Sequence, residues 1–157
     1  MRRFMTGLCL AGLIGVGIAG TALAAFPPPN RHFSGSGGNF WSHNGRWVRH
    51  GTRSFSFTTS PRGFFRYVDN FRARYTTPCG GPFRVRATDI LIHKSTGKFH
   101  ARFRSHGAWV KIWGRFTGRG DVANVNFIAN FSGSSTNPST ASFARCAAWV
   151  HGKAIIG

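Results

Sequence analysis

Residues 98–116 alternate apolar and polar side chains along two arms, which are joined by a polar turn at Ser105-His106-Gly107. Successive side chains of a strand point to opposite faces, so a period of two predicts an antiparallel hairpin with one apolar face. The predicted core face carries Phe99, Ala101, Phe103, Val110, Ile112, Gly114 and Phe116. The other face carries His100, Arg102, Arg104, Trp109, Lys111, Trp113 and Arg115. This hairpin predicts a β-rich fold and a surface that is both basic and aromatic.

Similar short alternating runs follow one another along the rest of the chain. They cover residues 54–59, 64–75, 83–92, 122–131 and 142–150. Aromatic and β-branched residues in short runs between turn residues are typical of strands, and no segment keeps a helical period. We therefore predict an all-β fold, an antiparallel β-sandwich of jelly-roll or Greek-key type, with a closed β-barrel as the alternative. Asp69 interrupts an apolar face and predicts a bulge or an ion pair there.

The chain divides into three predicted regions. Residues 1–24 combine Arg2 and Arg3, an apolar run and the small residues Ala22 and Ala24, which is the layout of a secretory signal peptide cleaved near Ala24. Residues 25–44 are rich in Pro, Gly and Ser and are predicted to be a linker or arm. Residues 45–157 are predicted to form a single β domain. We expect a secreted, periplasmic or envelope protein without a transmembrane helix after cleavage.

Two cysteines, Cys79 and Cys146, remain once the predicted leader with Cys9 is removed. In an oxidising compartment an isolated pair is most simply explained by one disulfide, and two buried free thiols are the alternative. A disulfide would exclude a cysteine nucleophile, because a bonded sulfur is not a thiolate.

Positive charge is the extreme feature of the composition. The 21 Lys and Arg residues include Arg2 and Arg3 of the leader, which leaves 19 against 3 Asp and no Glu. Such a field attracts polyanions, and Arg in particular forms forked contacts to phosphate or carboxylate. The alternative interpretation is that the charge only keeps an exported protein soluble.

Catalysis has few candidate residues in this sequence. General acid–base chemistry needs paired carboxylates, but Asp69, Asp89 and Asp121 are the only acidic residues and are expected to be ion-pair partners. The His residues fit no metal-binding spacing, and we predict no metal and no cofactor. Asp89 with His100 is the one pair that a hydrolase hypothesis can use, so a protein without enzymatic activity is favoured.

The leading hypothesis is a binding module for an anionic envelope or extracellular polymer. The candidate partners are anionic polysaccharide, lipopolysaccharide and anionic lipid head groups, with nucleic acid bound only non-specifically. Trp109 and Trp113 are the candidate stacking residues. The candidate polyanion-binding residues are Arg66, Arg72, Arg74, Arg84, Arg86, Arg102, Arg104, Lys111 and Arg115. A cationic membrane-active or toxin-like protein is the alternative.

Several short motifs between about residues 52 and 150 resemble a group of small secreted bacterial proteins of actinobacterial type. The motifs are an aromatic strand with Phe55 and Phe57, Cys79-Gly80, Ile90 and Ile92 followed by Gly97 and Phe99, an I-x-G-x-F run at 112–116, and a C-x-x-x-W pattern at Cys146 and Trp149. The resemblance implies a disulfide-linked β-sandwich. It implies no activity, since the group has none assigned.

Overall fold

The structure is a computed structural model that describes residues 25–157, so the predicted signal peptide lies outside the described residues. These residues form nine strands and one short helix. In chain order they are β1 (Arg31–His43), β2 (Arg46–Arg62), β3 (Phe65–Thr77), β4 (Gly80–Ala87), β5 (Ile90–Ile92), β6 (Lys98–Ser105), β7 (Ala108–Thr117), β8 (Val122–Asn130), α1 (Pro138–Ala141) and β9 (Ala147–Ile156). No helix within residues 25–157 is both long and apolar enough to cross a membrane.

All nine strands belong to a single antiparallel sheet with the order β2-β1-β9-β8-β7-β6-β5-β3-β4. β2 lies at one edge of this order and β3 lies next to the other edge, and these two strands also pair with each other. The inward faces of the strands therefore surround one core. The predicted all-β, antiparallel fold is confirmed. So is the single disulfide, because Cys79 and Cys146 are bonded with their Cα atoms 5.4 Å apart.

The core is dominated by phenylalanine rings from several strands. Phe33 stacks on Phe57 with ring centroids 5.0 Å apart, and Phe116 meets Phe33 edge-on at 5.4 Å. Such pairs add to the stabilisation from buried area. The hairpin predicted at 98–116 is confirmed as β6 and β7, and its Phe99, Val110 and Ile112 are buried in this core.

The region predicted to be a linker or arm is instead largely strand β1, which pairs with β2 on one side and with β9 on the other. Gly35 and Gly37 belong to the Gly/Ser-rich run that indicated a flexible segment. In the structure they allow β1 to pack closely against β9. A Cβ atom at either position would collide with the backbone of β9, at the carbonyl groups of Lys153 and His151. Their lack of a side chain lets two backbones approach at a point where no other residue fits.

The final strand also differs from the expected bounds. Residues 142–150 were expected to be one strand, but α1 covers Pro138–Ala141 and β9 begins only at Ala147. Asn137 caps α1, since its side chain accepts a hydrogen bond from the Ser139 amide, and this favours a helical turn.

The bulge expected near Asp69 is present in β3. The β2–β3 register shifts between Ser56 and Thr58, and Asn70 has a φ of 51°, in the left-handed region. The extra residue reverses which side chains face the core: Val68 is buried before the bulge and Phe71 after it. The ion pair is present as well, with Arg62 Nη2 lying 3.5 Å from Asp69 Oδ2.

Candidate anion-binding surfaces

The predicted polyanion-binding residues lie on two separate outer surfaces of the sheet, with Arg66 apart from both. The first surface, the arginine groove, is formed by Arg72, Arg74, Arg84 and Arg86 above Ser34, Gly35, Ser54 and Ser56. The second, the basic-aromatic face, is the outer face of β6 and β7 with His100, Arg102, Arg104, Trp109, Lys111, Trp113 and Arg115.

The arginine groove crosses four adjacent strands. Strand pairing places Ser34 opposite Ser56, Ser56 opposite Arg72, and Arg72 opposite Arg86. Arg74 lies opposite Arg84 in the neighbouring row. Small side chains on β1 and β2 thus form the floor, and exposed arginines on β3 and β4 form one wall of a groove of about 380 Å³.

None of these four guanidinium groups is neutralised by another described residue. Within residues 25–157, the acidic partners of salt bridges are Asp69 and Asp89, and both bind Arg62. The groove arginines also make no side-chain hydrogen bond there, although two pairs of them stand directly opposite each other. Like charges at opposed strand positions are destabilising. This arrangement therefore costs the fold free energy, and an anionic ligand would relieve it.

Two arginines of the basic-aromatic face lie over the ring of Trp109. The guanidinium carbons of Arg102 and Arg104 lie 4.6 and 5.1 Å from the centroid of its half-buried ring. Arg102 also donates a hydrogen bond of 2.6 Å to the Ser134 carbonyl oxygen. Cation–π contacts of this kind hold both guanidinium groups in place at the surface.

Trp113 lies in a row that continues onto β8 and β9. It stands between His100 on β6 and Asn126 on β8, and Asn126 stands opposite His151 on β9. Lys111 Nζ lies 5.3 Å from the Trp113 ring centroid. The half-buried ring is therefore next to polar groups on both neighbouring strands.

Asn126 offers a hydrogen-bond donor that no other residue within 25–157 uses. Its Oδ1 accepts a hydrogen bond of 3.2 Å from Trp149 Nε1 and lies 2.8 Å from His151 Nδ1. An indole N–H can only donate, so the atom facing it must be the oxygen. The amide Nδ2 is consequently directed elsewhere, and it has no partner among the residues that the structure describes.

Sequence reasoning missed the contribution of β8 and β9 to this face. The alternation of Asn124 and Asn126 with the apolar Val125 and Phe127 indicates an outward polar face, but it does not reveal which strand lies beside it. The pairing adds further basic residues, since Asn124 stands between Arg115 and Lys153.

Arg66 does not join either surface. Arg66 lies two residues before the buried Val68 and shares its orientation. The bulge at Asn70 reverses the orientation of the residues that follow, so Arg66 faces away from the side occupied by Arg72 and Arg74. Its guanidinium carbon lies 5.5 Å from the Phe26 ring centroid, and its Nε is buried without a hydrogen-bond partner among the described residues. The sequence grouping of Arg66 with Arg72 and Arg74 is therefore corrected by the structure.

Asp69 and Asp89 form ion pairs as expected, whereas Asp121 forms none within residues 25–157. Asp89 forms a salt bridge with Arg62, whose pKa is raised mainly by the hydrogen bond to Asp89. No hydrogen bond among residues 25–157 joins Asp89 to His100, the pair required by the hydrolase alternative. No group of three or more His, Cys, Asp or Glu in the same part of the chain is placed to hold a metal ion.

Asp69 is the centre of a buried polar network. Burial opposes its ionisation, but hydrogen bonds from the Ser60 hydroxyl, the Asp89 amide and the Thr88 hydroxyl outweigh that effect, and the pKa of Asp69 is lowered. The Thr88 and Asp89 contacts to Oδ1 both measure 2.7 Å. Since the carboxylate thereby fixes the β4–β5 connection to the bulge, its role is structural.

Comparison of the chain with protein-family models, with curated proteins and with solved structures finds no match. The resemblance to small secreted bacterial proteins remains a prediction from the motifs. The two surfaces are therefore the features of the molecule that bear on its function.

Proposed function

We propose that this protein is an exported, non-enzymatic module that binds an anionic polymer of the cell envelope or its surroundings. The observation that carries the proposal is the arginine groove, where four exposed guanidinium groups in opposed pairs lack any anionic partner within the described chain. A polymer with regularly spaced charges suits such a row, because each guanidinium can bind a carboxylate, sulfate or phosphate through two parallel N–H groups.

The spacing of the groove favours a polymer over a single small anion. Side chains directly opposite each other have Cβ atoms about 4.5–5.5 Å apart, and residues two apart on one strand are separated by about 6.6 Å. Four guanidinium groups on this grid offer several anion positions along the groove. The floor of Ser34, Ser54 and Ser56 leaves room for a chain to lie across β1 and β2.

The basic-aromatic face supports an acidic polysaccharide as the first candidate. Trp113 provides an apolar surface on which a sugar ring can stack, and the Nδ2 of Asn126, which has no partner within residues 25–157, can donate to a hydroxyl or carboxylate oxygen. Lys111, Arg115 and Lys153 surround this pair with positive charge. Nucleic acid would bind through charge alone, so binding to it in solution does not discriminate between ligands.

The proposal is tested by titrating the purified, oxidised protein with polyuronate, sulfated polysaccharide, polyphosphate and neutral dextran at low and physiological salt. We expect one acidic polymer to bind at physiological salt and dextran not to bind. The Arg72→Ala/Arg86→Ala variant should weaken this binding at least tenfold. The matched control is Arg119→Ala/Arg145→Ala, which removes the same charge from two exposed arginines outside both surfaces.

Equal losses in the two double variants would show that affinity follows net charge and not the groove, and would contradict the proposal. Binding of every polyanion with disappearance of all binding at physiological salt would contradict it as well, since exposed charges are largely screened under those conditions.

A further inference from the structure

An exposed phenylalanine pair lies at the β2–β3 hairpin. Phe64 is 93% exposed and the adjacent Phe65 is 57% exposed, whereas most other phenylalanines of the described chain are buried or half-buried. Gly63, with a φ of 60°, forms the turn that projects this pair outward. Exposing such rings to water is unfavourable, so the pair is expected to have an apolar partner.

The pair is part of a larger apolar end of the molecule. Phe26, Phe64, Phe65 and Leu91 line a concave site of about 290 Å³ together with Ile92, His93 and Lys94. Leu91 is itself 37% exposed. We call the four apolar residues Phe26, Phe64, Phe65 and Leu91 the phenylalanine tip.

Cations border the phenylalanine tip. Lys94 lines the same concavity, and Arg66 stacks over Phe26. The local carboxylates of Asp69 and Asp89 are both bound to Arg62 and do not offset these charges.

We propose that the phenylalanine tip inserts into the surface of a membrane that contains anionic lipids. Rings projecting from a rigid hairpin can enter the boundary between head groups and acyl chains while Lys and Arg beside them remain at the phosphates. Each cation near an anionic lipid surface contributes favourably, and the large positive charge of the chain draws it to that surface. A lipid surface fits better than a protein partner because Phe64 and Phe65 are exposed at a hairpin turn and a basic residue, Lys94, lies beside them.

This inference is independent of the polymer-binding proposal, and the two can fail separately. The arginine groove contains none of the residues of the phenylalanine tip. A protein with both surfaces would hold an anionic polymer against a membrane.

The test is sedimentation of the protein without its predicted leader, residues 25–157, together with lipid vesicles. One set of vesicles is pure phosphatidylcholine, and the other contains phosphatidylcholine with 30% phosphatidylglycerol. We expect binding to the mixed vesicles only, and a loss of at least tenfold in partitioning for Phe64→Ser/Phe65→Ser. Phe143→Ser is the matched control, because Phe143 is 75% exposed but lies after α1, outside the phenylalanine tip. This control should bind vesicles like the unaltered protein.

Unchanged partitioning of Phe64→Ser/Phe65→Ser would overturn the inference. Self-association of the protein without vesicles that is abolished in Phe64→Ser/Phe65→Ser would also overturn the inference. The partner of the phenylalanine tip would then be a second copy of this chain. Polymer binding measured on the same variant should be unchanged, which separates failure at the phenylalanine tip from failure at the arginine groove.

Discussion

Arg72 and Arg86 lie directly opposite each other on the antiparallel strands β3 and β4. No acidic side chain within the described residues neutralises either of them. In a protein selected for stability alone, one position of such a pair would be expected to carry an uncharged or acidic residue. The juxtaposition is therefore a cost to the fold that binding of an anion would offset.

Arg86→Gln should have opposite effects on stability and on binding. Removing one of two opposed like charges is expected to raise the free energy of unfolding by about 0.2–1 kcal/mol. Loss of one charge-assisted contact should weaken binding of the acidic polymer by about tenfold. Urea denaturation and a polymer titration on the same preparation measure both quantities. A variant that is less stable and binds normally would remove Arg86 from the site.

Trp113 is expected to contribute to polymer binding through its ring. Stacking of a nucleobase on an aromatic side chain contributes about 1–3 kcal/mol. We expect the lower end of this range for a sugar ring on Trp113, so Trp113→Ala should weaken binding about fivefold. Trp113→Phe keeps an aromatic ring and should retain most of the affinity. Calorimetric titration of the two variants with the best acidic polymer provides the measurement, and equal losses in both would argue against stacking.

Stability toward acid should depend on Asp69. The pKa of Asp69 is lower in the folded protein than in the unfolded chain. The ionised carboxylate therefore stabilises the fold at pH values above its unfolded-state pKa, which is about 3.9. This contribution is lost as the pH falls from there through the folded-state pKa. Asp69→Asn should reduce the free energy of unfolding at pH 7 by about 1–3 kcal/mol, because it removes a buried acceptor.

The same variant should also lose part of the acid sensitivity. Urea denaturation at a series of pH values between 2 and 7 compares Asp69→Asn with Asp121→Asn, which alters an exposed aspartate at the β7–β8 turn. An identical pH profile for the Asp69 variant and the unaltered protein would show that Asp69 does not control stability in acid.

Gly37→Ala tests the placement of β1 between β2 and β9. A Cβ atom at this position would meet the backbone of His151, and overpacking of this kind typically costs about 1–3 kcal/mol. Gly133→Ala is the control, since a Cβ atom there would have only the Asn130 amide within 4 Å, at 3.9 Å. Thermal unfolding of both variants is the measurement. Equal stability of the two would be inconsistent with close packing of β1 against β9.

Much of the local structure was determined by the sequence itself. The alternation in residues 98–116 indicated both faces of the β6–β7 hairpin, and the interruption at Asp69 indicated the bulge in β3. The pairing of Cys79 with Cys146 was predicted from their isolation in a chain that is expected to be exported, and the disulfide is present. These predictions succeeded because a period of two, a turn and a lone pair of cysteines are readable from the sequence.

Only the tertiary structure decided which residues meet across strands. In the sequence Gly35 and Gly37 are typical of a linker, but in the structure they allow close packing against β9. Periodicity placed Arg66 on the same face as Arg72, but the bulge at Asn70 puts the two on opposite faces. The opposition of Arg72 to Arg86 and the contact of Asn126 with Trp149 depend in the same way on strand order and register. The period of two indicates on which face of a strand a side chain lies. The order and register of the strands are set by contacts between segments that are distant in the chain.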